Sequence, residues 1–328
     1  MSRYEEYLHH KKDRFGRFPA SESIAWKGKF LETPVVNIWA GLLEALIVKH
    51  FPAIVIRHPQ YRYVPTIDID HAWCYLGRSL TRTMGGLGRS VMQGRFTEVA
   101  ARLKTLAGLS PDPFDNYDFI KSVHAKYGHH PLFFILFADY GQNDNNVTVT
   151  SKQFQKLVSG LDTHNNVGLH PSLSSNKHLQ KLEDEFIGLS EAIGRDVTMS
   201  RQHFLKLSLP RTCRTLIQLG ITDDYSMGYA GHVGFRAGIA APFPFFDLSR
   251  NEATTLVIHP VSLMDVTLRD YLRLNNIESL QTIHKVIRTI RSVNGEFVSL
   301  WHNESLGETG RWKGWRQLYE AMVEQASS

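Results

Sequence analysis

The chain has 328 residues, 42% hydrophobic and 21% charged, the balance of an ordinary soluble globular protein with room for one large α/β domain or two modest ones. Its formal net charge is +5 at pH 7, but the basic residues are scattered without an aromatic stripe; this argues against nucleic acid and at most suits an acidic or nucleotide-linked substrate. Cys74 and Cys213 give no disulfide framework, the N-terminus has no apolar signal core, and the apolar runs Ile38–Val48 and Pro131–Ala138 are too short to span a bilayer, so a cytoplasmic protein is expected.

No repeat, low-complexity segment or linker interrupts the chain, and residues 1–328 read as a single domain. Residues 1–33 are polar without a clear period and are expected to wrap the domain as an irregular arm. Val35–His50 has Ile38, Leu42 and Leu46 at helical spacing and stops before Pro52. Strands are expected at Tyr63–Asp70, Leu132–Asp139, Val167–Pro171, Val197–His203, Gly220–Asp224, Thr254–Ser262 and Glu296–His302. Helical patterns lie between many of them, at Lys152–Leu161, His178–Ile193, Thr212–Leu219, Thr267–Asn275 and Ser279–Val293. Alternating strands and helices predict an α/β fold with a parallel sheet, and about seven such units close or nearly close a barrel. Residues 81–118, with Gly85-Gly86, look like an insertion. Its Arg89, Arg95 and Arg102 are expected on a solvated helix face, the other reading being one wall of a cleft. The helix after Trp312–Trp315 is expected to cap the barrel.

Polar groups end each expected strand: Asp68 and Asp70; Asp139 with Tyr140; His170; Arg201 with His203; Asp224; His259; His302 with Asn303. In a parallel barrel, catalytic groups sit at these C-terminal strand ends. Asp68 and Asp70 are two apart on an extended strand and share a face, and two such carboxylates repel unless a cation or a shared proton relieves them. The pair suits a metal ligand beside a general base. His170, followed by Pro171, reads as a further ligand. Arg201 stays protonated and is placed to orient a carboxylate such as Asp68. His203, two residues on, is a candidate third ligand or a hydrogen-bonding partner. His71 should face the other way, and His9, His10, His129 and His130 lie in polar surroundings. The glycine-rich segment from Tyr225 to Gly238, with Tyr229, Phe235 and Arg236 and with Phe243, Phe245 and Phe246 just after, forms either an aromatic wall for a sugar ring or a packed loop over the barrel mouth. Tyr140, Tyr229, Arg236 and Asp265 are the candidate substrate contacts.

The segments Thr66–Ala72, Asp112–Asp118, Gly168–Ser172, Ser200–Phe204, Asp224–Tyr229 with Gly234–Gly238, and Leu300–Asn303 occur in the order of five motifs. On them the chain resembles the polysaccharide deacetylase (NodB-homology, carbohydrate esterase family 4) superfamily, in its divergent bacterial surface-polysaccharide branch. The resemblance covers about residue 30 to the C-terminus. It implies a distorted (β/α)7-type barrel, and removal of acetyl groups from N-acetylated sugars with a divalent metal: zinc first, with iron, manganese or cobalt open. It also implies Asp68 as general base, Asp70 and His170 as ligands, Arg201 holding the base, Asp224 helping to position the site, and His302 as general acid. Two departures stand out. Ile69 separates carboxylates that the family usually has adjacent, and Ser174 stands where the family places a second histidine; His203 is the expected replacement, with His178 the weaker candidate. The substrate expected is an N-acetylated sugar, as a nucleotide- or lipid-linked glycan precursor. A sugar-binding protein on an inactive barrel, and a hydrolase of another C–N bond or of a phosphoester, are the competing readings.

Overall fold

The computed structural model describes every residue except Asp139, Gln142, Asn143 and Asn145. β1 (Arg62–Ile69) is buried from Tyr63 onward, inward and outward residues alike, as a parallel strand covered on both faces must be. It is followed by β2 (Leu132–Ile135), β3 (Val167–Leu169), β4 (Met199–Ser200), β5 (Asp223–Asp224), β6 (Phe243–Asp247), β7 (Glu252–Ile258), β8 (Val261–Met264) and β9 (Glu296–His302). The described residues form one curled nine-stranded sheet in the order β6-β7-β5-β4-β3-β2-β1-β9-β8. Every pairing is parallel except β6 with β7. This is the barrel-like α/β architecture expected from the alternation. Gly168 lets β3 approach its neighbours, since a Cβ there would lie 2.8 Å from the Phe134 ring.

The run expected as one strand, Thr254–Ser262, changes partner in the middle. β7 pairs with β5, and β8, two residues on, pairs with β9. Pro260 has no N–H to give to a ladder, which allows the switch. His259 lies at the seam and bonds both neighbours: Nε2 is 2.9 Å from Asp223 and Nδ1 2.7 Å from Glu296. The face of Tyr225 stacks on its ring, with centroids 4.3 Å apart.

The helices are α1 (Tyr4–Tyr7), α2 (Ile24–Lys27), α3 (Val35–His50), α4 (Leu80–Met92), α5 (Phe96–Leu106), α6 (Tyr117–Ala125), α7 (Lys152–Leu161), α8 (Leu179–Ile193), α9 (Arg211–Gln218), α10 (Asn276–Arg291) and α11 (Trp315–Ser327). α10 starts with a capping box between Asn275 and Glu278 and buries Ile283, Ile287 and Ile290. α11 does not cap an end of the barrel. It lies along the flank with α10 and α6, with Trp315 and Tyr319 against Trp301 of β9. The helix expected over Thr267–Asn275 is a single π turn, Thr267–Tyr271, and is followed by Arg273 in the left-handed region. α3 forms where predicted and is tied at its start through Val36 to Gly238 and Asn37 to Ala240, but Ile38, Leu42 and Leu46 are exposed.

Residues 1–33 carry more than polar coil. Phe18, Ala20, Ala25 and Leu31 form a small apolar cluster with Tyr229. Buried Glu6 bonds Arg236 at 2.6 and 2.9 Å and Arg3 at 2.7 Å, and Arg3 donates to the Tyr229 hydroxyl. A buried charge persists only when paired in this way.

Candidate metal centre

Asp68 and Asp70, at the end of β1, face the barrel interior together. Asp68 is buried, and its Oδ1 accepts a 2.8 Å hydrogen bond from Arg201 Nη1. Arg201 is itself fully buried, donates Nε–H to the Tyr225 carbonyl, and lies over the Phe134 ring. Its cation therefore has one fixed orientation, aimed at Asp68.

Asp70, His170 and His203 are drawn together, with their donor atoms all within 4.8 Å of one another. His170 Nδ1 bonds the Arg201 carbonyl, so its proton is on Nδ1 and the lone pair on Nε2 points inward. His203 Nδ1 lies 2.9 Å from Asp144, leaving its Nε2 3.4 Å from Asp70 Oδ2. Locking one ring nitrogen while the other converges on a carboxylate is how proteins prepare histidine ligands. Asp70 Oδ1 and His170 Nε2 lie 3.2 Å apart without the alignment of a hydrogen bond, and neither has another hydrogen-bond partner among the described residues. Two orphaned, buried lone-pair donors side by side are what a cation satisfies. The donor set, two imidazoles and one carboxylate, fits a divalent ion with a further position open.

The charges of the group depend on one another. Burial opposes the Asp70 carboxylate, yet the charge of His203 and the imidazoles of His170 and His302 hold its pKa well below the usual range. Burial likewise opposes the His203 cation, but Asp70 and Asp144 raise its pKa to about 9.

His302 enters from β9, whose register sets it directly opposite Asp68. Its Nδ1 and its backbone N–H are both 2.8 Å from Asp265, and Nε2 points inward, 3.8 Å from Asp70. Despite burial, Asp265 holds the imidazole pKa well above its ordinary value. The groups line a cavity of about 200 Å³ that also touches Arg17, Tyr271, Glu304 and Arg311, with Phe204, Leu205, Met264 and Leu300 as its apolar lining.

Several expected site residues lie elsewhere. Tyr229 and Arg236 do not reach the cavity, because the arm engages them through Arg3 and Glu6. Asp265 is fully buried behind His302, where it holds the imidazole and is out of reach of a substrate. Tyr140 is exposed off the cavity, beneath the Arg82 guanidinium; its neighbour Asp139 lies outside the described residues. Asp224 is also off the cavity. It accepts from the Ser226 N–H and hydroxyl, and Ser226 accepts from the Gln202 N–H, which props the backbone beside Arg201; burial pushes its carboxyl up to about 6. His178 is exposed at the start of α8 in a separate cleft. Phe235, Phe243 and Phe245 are core residues, so they build no aromatic wall. Arg89 and Arg95 are exposed and Arg102 is buried, and none lines the cavity. His203 is not on an extended strand with Arg201: β4 ends at Ser200, and His203 begins a tight turn in which Phe204 and Leu205 both have positive φ.

Of the residues at the site that were not expected, two hold its parts in place. Asp144, in the Asn/Asp-rich loop after β2, holds His203; that loop's position after a barrel strand was the available signal. Arg17 comes from the arm, held by Asp13 and bonded to the Phe204 carbonyl and the Tyr271 hydroxyl. Those partners are 187 and 254 residues away, and no local pattern reveals them.

Comparison with known proteins addresses the architecture. A crystal structure assigned as a polysaccharide deacetylase from Mycobacterium smegmatis superposes with a TM-score of 0.50 and 13% identity, over 81% of this chain and 85% of that one. The fold is that of the polysaccharide deacetylases. A second such assignment, from Pseudomonas aeruginosa PAO1, gives 0.51 and 7% identity over 80% and 84%. The Puue allantoinase gives 0.46 and 8% over 79% and 83%. Residues 1–52 match a family of unknown function, DUF7033. No curated protein matches the chain in sequence.

Proposed function

We propose that this protein is a divalent-metal-dependent hydrolase that removes an N-acetyl group from an amino sugar. The observation that supports this reading is the arrangement around Asp70. Two imidazoles converge on that carboxylate with their far nitrogens locked, while Asp68 on one side and His302 on the other are each held by a dedicated partner. A divalent ion held by Asp70, His170 and His203, zinc before iron, manganese or cobalt, would supply polarisation of the acetyl carbonyl and acidification of a water molecule.

The chain's own residues do the proton work. Asp68, oriented by Arg201, takes a proton from the attacking water. As the C–N bond breaks, His302 gives the proton on Nε2 to the leaving amine, and Asp265 stabilises the imidazolium until that moment. Acetate and a free amine are the products. The two unpaired cysteines fit action in the cytoplasm, where a nucleotide- or lipid-linked precursor is the substrate we favour.

The experiment is elemental analysis of untagged protein purified without chelator, followed by acetate-release assays on N-acetylated nucleotide sugars. About one divalent ion per chain with release of acetate supports the proposal. Absence of metal after incubation with zinc, cobalt or manganese would sink it, and glycan binding without turnover would then favour a sugar-binding role.

A further inference from the structure

The α4–α5 hairpin is built inside out. Its buried residues are polar: Ser90 on α4, and Arg102 and Thr105 on α5. They join the two helices through a charged network, with Ser90 donating to Glu98 at 3.1 Å and Glu98 3.5 Å from Arg102, whose guanidinium lies over the Tyr75 ring. Gly86 makes room for this, since a Cβ there would collide with the Arg102 guanidinium.

The apolar residues face outward. On α4, Leu80, Met84, Leu87 and Val91 fall at i, i+4, i+7 and i+11, one face of a helix. On α5, Phe96, Val99, Leu103 and Leu106 fall at i, i+3, i+7 and i+10, again one face. Leu80 is 83% exposed, Phe96 67% and Met84 66%. Cations accompany the stripes: over residues 79–109 the only carboxylate is Glu98, against Arg82, Arg89, Arg95 and Lys104, with Arg102 turned inward. The hairpin also rises from the end of the barrel that holds the site. α4 begins ten residues after Asp70, and at the far end of α5 the Asp112 carboxylate accepts the N–H groups of Cys74, Tyr75 and Leu76.

We propose that the α4–α5 hairpin docks the protein on an anionic lipid surface, apolar stripes down. Outward aliphatic and aromatic side chains flanked by Arg and Lys are what an interfacial helix requires, and cations near an anionic leaflet add attraction over a Debye length. A second copy is the poorer occupant, because a two-fold contact through this face would set each cationic group against itself. Docking in this way brings the cavity to a substrate held at the membrane by a lipid, and only that choice of substrate rests on the proposed reaction.

The test is co-sedimentation of the full chain with vesicles of phosphatidylcholine alone and of equimolar phosphatidylcholine and phosphatidylglycerol. Binding is expected to the mixed vesicles and to weaken in molar salt. Met84→Ser with Phe96→Ser should lower the partition coefficient at least about tenfold, and Arg89→Gln with Lys104→Gln about fivefold per cation. All four side chains are exposed, so thermal melting should stay within the small range of surface changes. Failure to bind mixed vesicles, or binding that neither double variant weakens, overturns the proposal. If, in addition, light scattering shows a dimer that Met84→Ser with Phe96→Ser dissociates, the stripes belong to a second copy. Vesicle binding is read without turnover, so its failure and failure of the deacetylase reading are separate results.

Discussion

Asp265 grips His302 at two points: one carboxylate oxygen takes the imidazole Nδ1 proton and the other the backbone N–H of the same residue, both at 2.8 Å. The ring can therefore neither rotate nor exchange tautomers without breaking a buried, charge-assisted contact. Asp265→Asn keeps the shape and removes the charge that stabilises the imidazolium. We expect kcat for deacetylation to fall by about 10²–10³ with metal content unchanged; loss of the metal in this variant would mean that Asp265 serves the ligand set.

Asp68 is expected to behave differently from its neighbour Asp70. Asp68→Asn retains an acceptor for Arg201, so the buried guanidinium stays bonded, but it has no basic oxygen. Turnover should drop by about 10²–10⁴, while elemental analysis finds the same ion per chain. Asp70→Asn should lose the ion, and equal metal loss in both variants would contradict the division of roles.

Among the described residues, Asp144 touches the Asp70, His170 and His203 group only through His203. Removing it in Asp144→Ala frees the imidazole to turn and lowers its basicity. The affinity for zinc, read by competition with a chromophoric chelator, should weaken by about 10–100-fold. An unchanged affinity would show that the turn at Phe204 alone fixes His203.

His259 makes the seam of the barrel sensitive to pH. Burial opposes its charge, but the hydrogen bonds to Asp223 and Glu296 raise its pKa to about 9, against 6.5 for a free imidazole. Because the folded value is the higher one, the stabilisation is complete below about pH 6.5 and is lost as the pH rises toward 9, and the shift corresponds to roughly 3 kcal/mol. The difference in Tm between the wild type and His259→Gln should thus be wide at pH 6 and narrow by pH 9.5. A constant gap across that range would remove the charged form from the account.

Glu6 joins the arm to the barrel through the Arg236 guanidinium and pairs with Arg3 within the arm. Glu6→Ala leaves Arg236 buried without its carboxylate and Arg3 with Glu5 alone, which should cost about 3–5 kcal/mol, read as a shift in the urea midpoint. Replacing Arg236 as well, by Met, should recover part of that loss; no recovery would mean the arm is held by its apolar cluster alone.

The sequence made some of this legible and hid the rest for physical reasons. The pairing of Asp68 with Asp70 and the course of β1 could be read because strand periodicity is local and the apolar run is long. Arg201 was placed by its chemistry, as a permanent cation needing a carboxylate. His203 lies beside Asp70 and His170, but it gets there by another route than expected: the chain makes a tight turn with two positive φ values where an extended segment was expected. Tyr229, Arg236 and Asp265 were taken for substrate contacts because a polar residue near a glycine-rich loop or a strand end looks free until its partner is known. Glu6 lies 230 residues from Arg236, and Asp265 meets His302 only because β8 and β9 are neighbours. The division of 252–264 between two partners, and β6 beside it, depended on closure of the sheet, which no local pattern encodes.

That shared run of chain has one more effect. It carries His259 at the seam and, six residues later, Asp265 behind His302, so the closure of the wall and the aim of the His302 ring are properties of a single length of backbone. A loosening at this seam would therefore reach Asp265, and through it His302, the residue proposed as proton donor, along the same backbone.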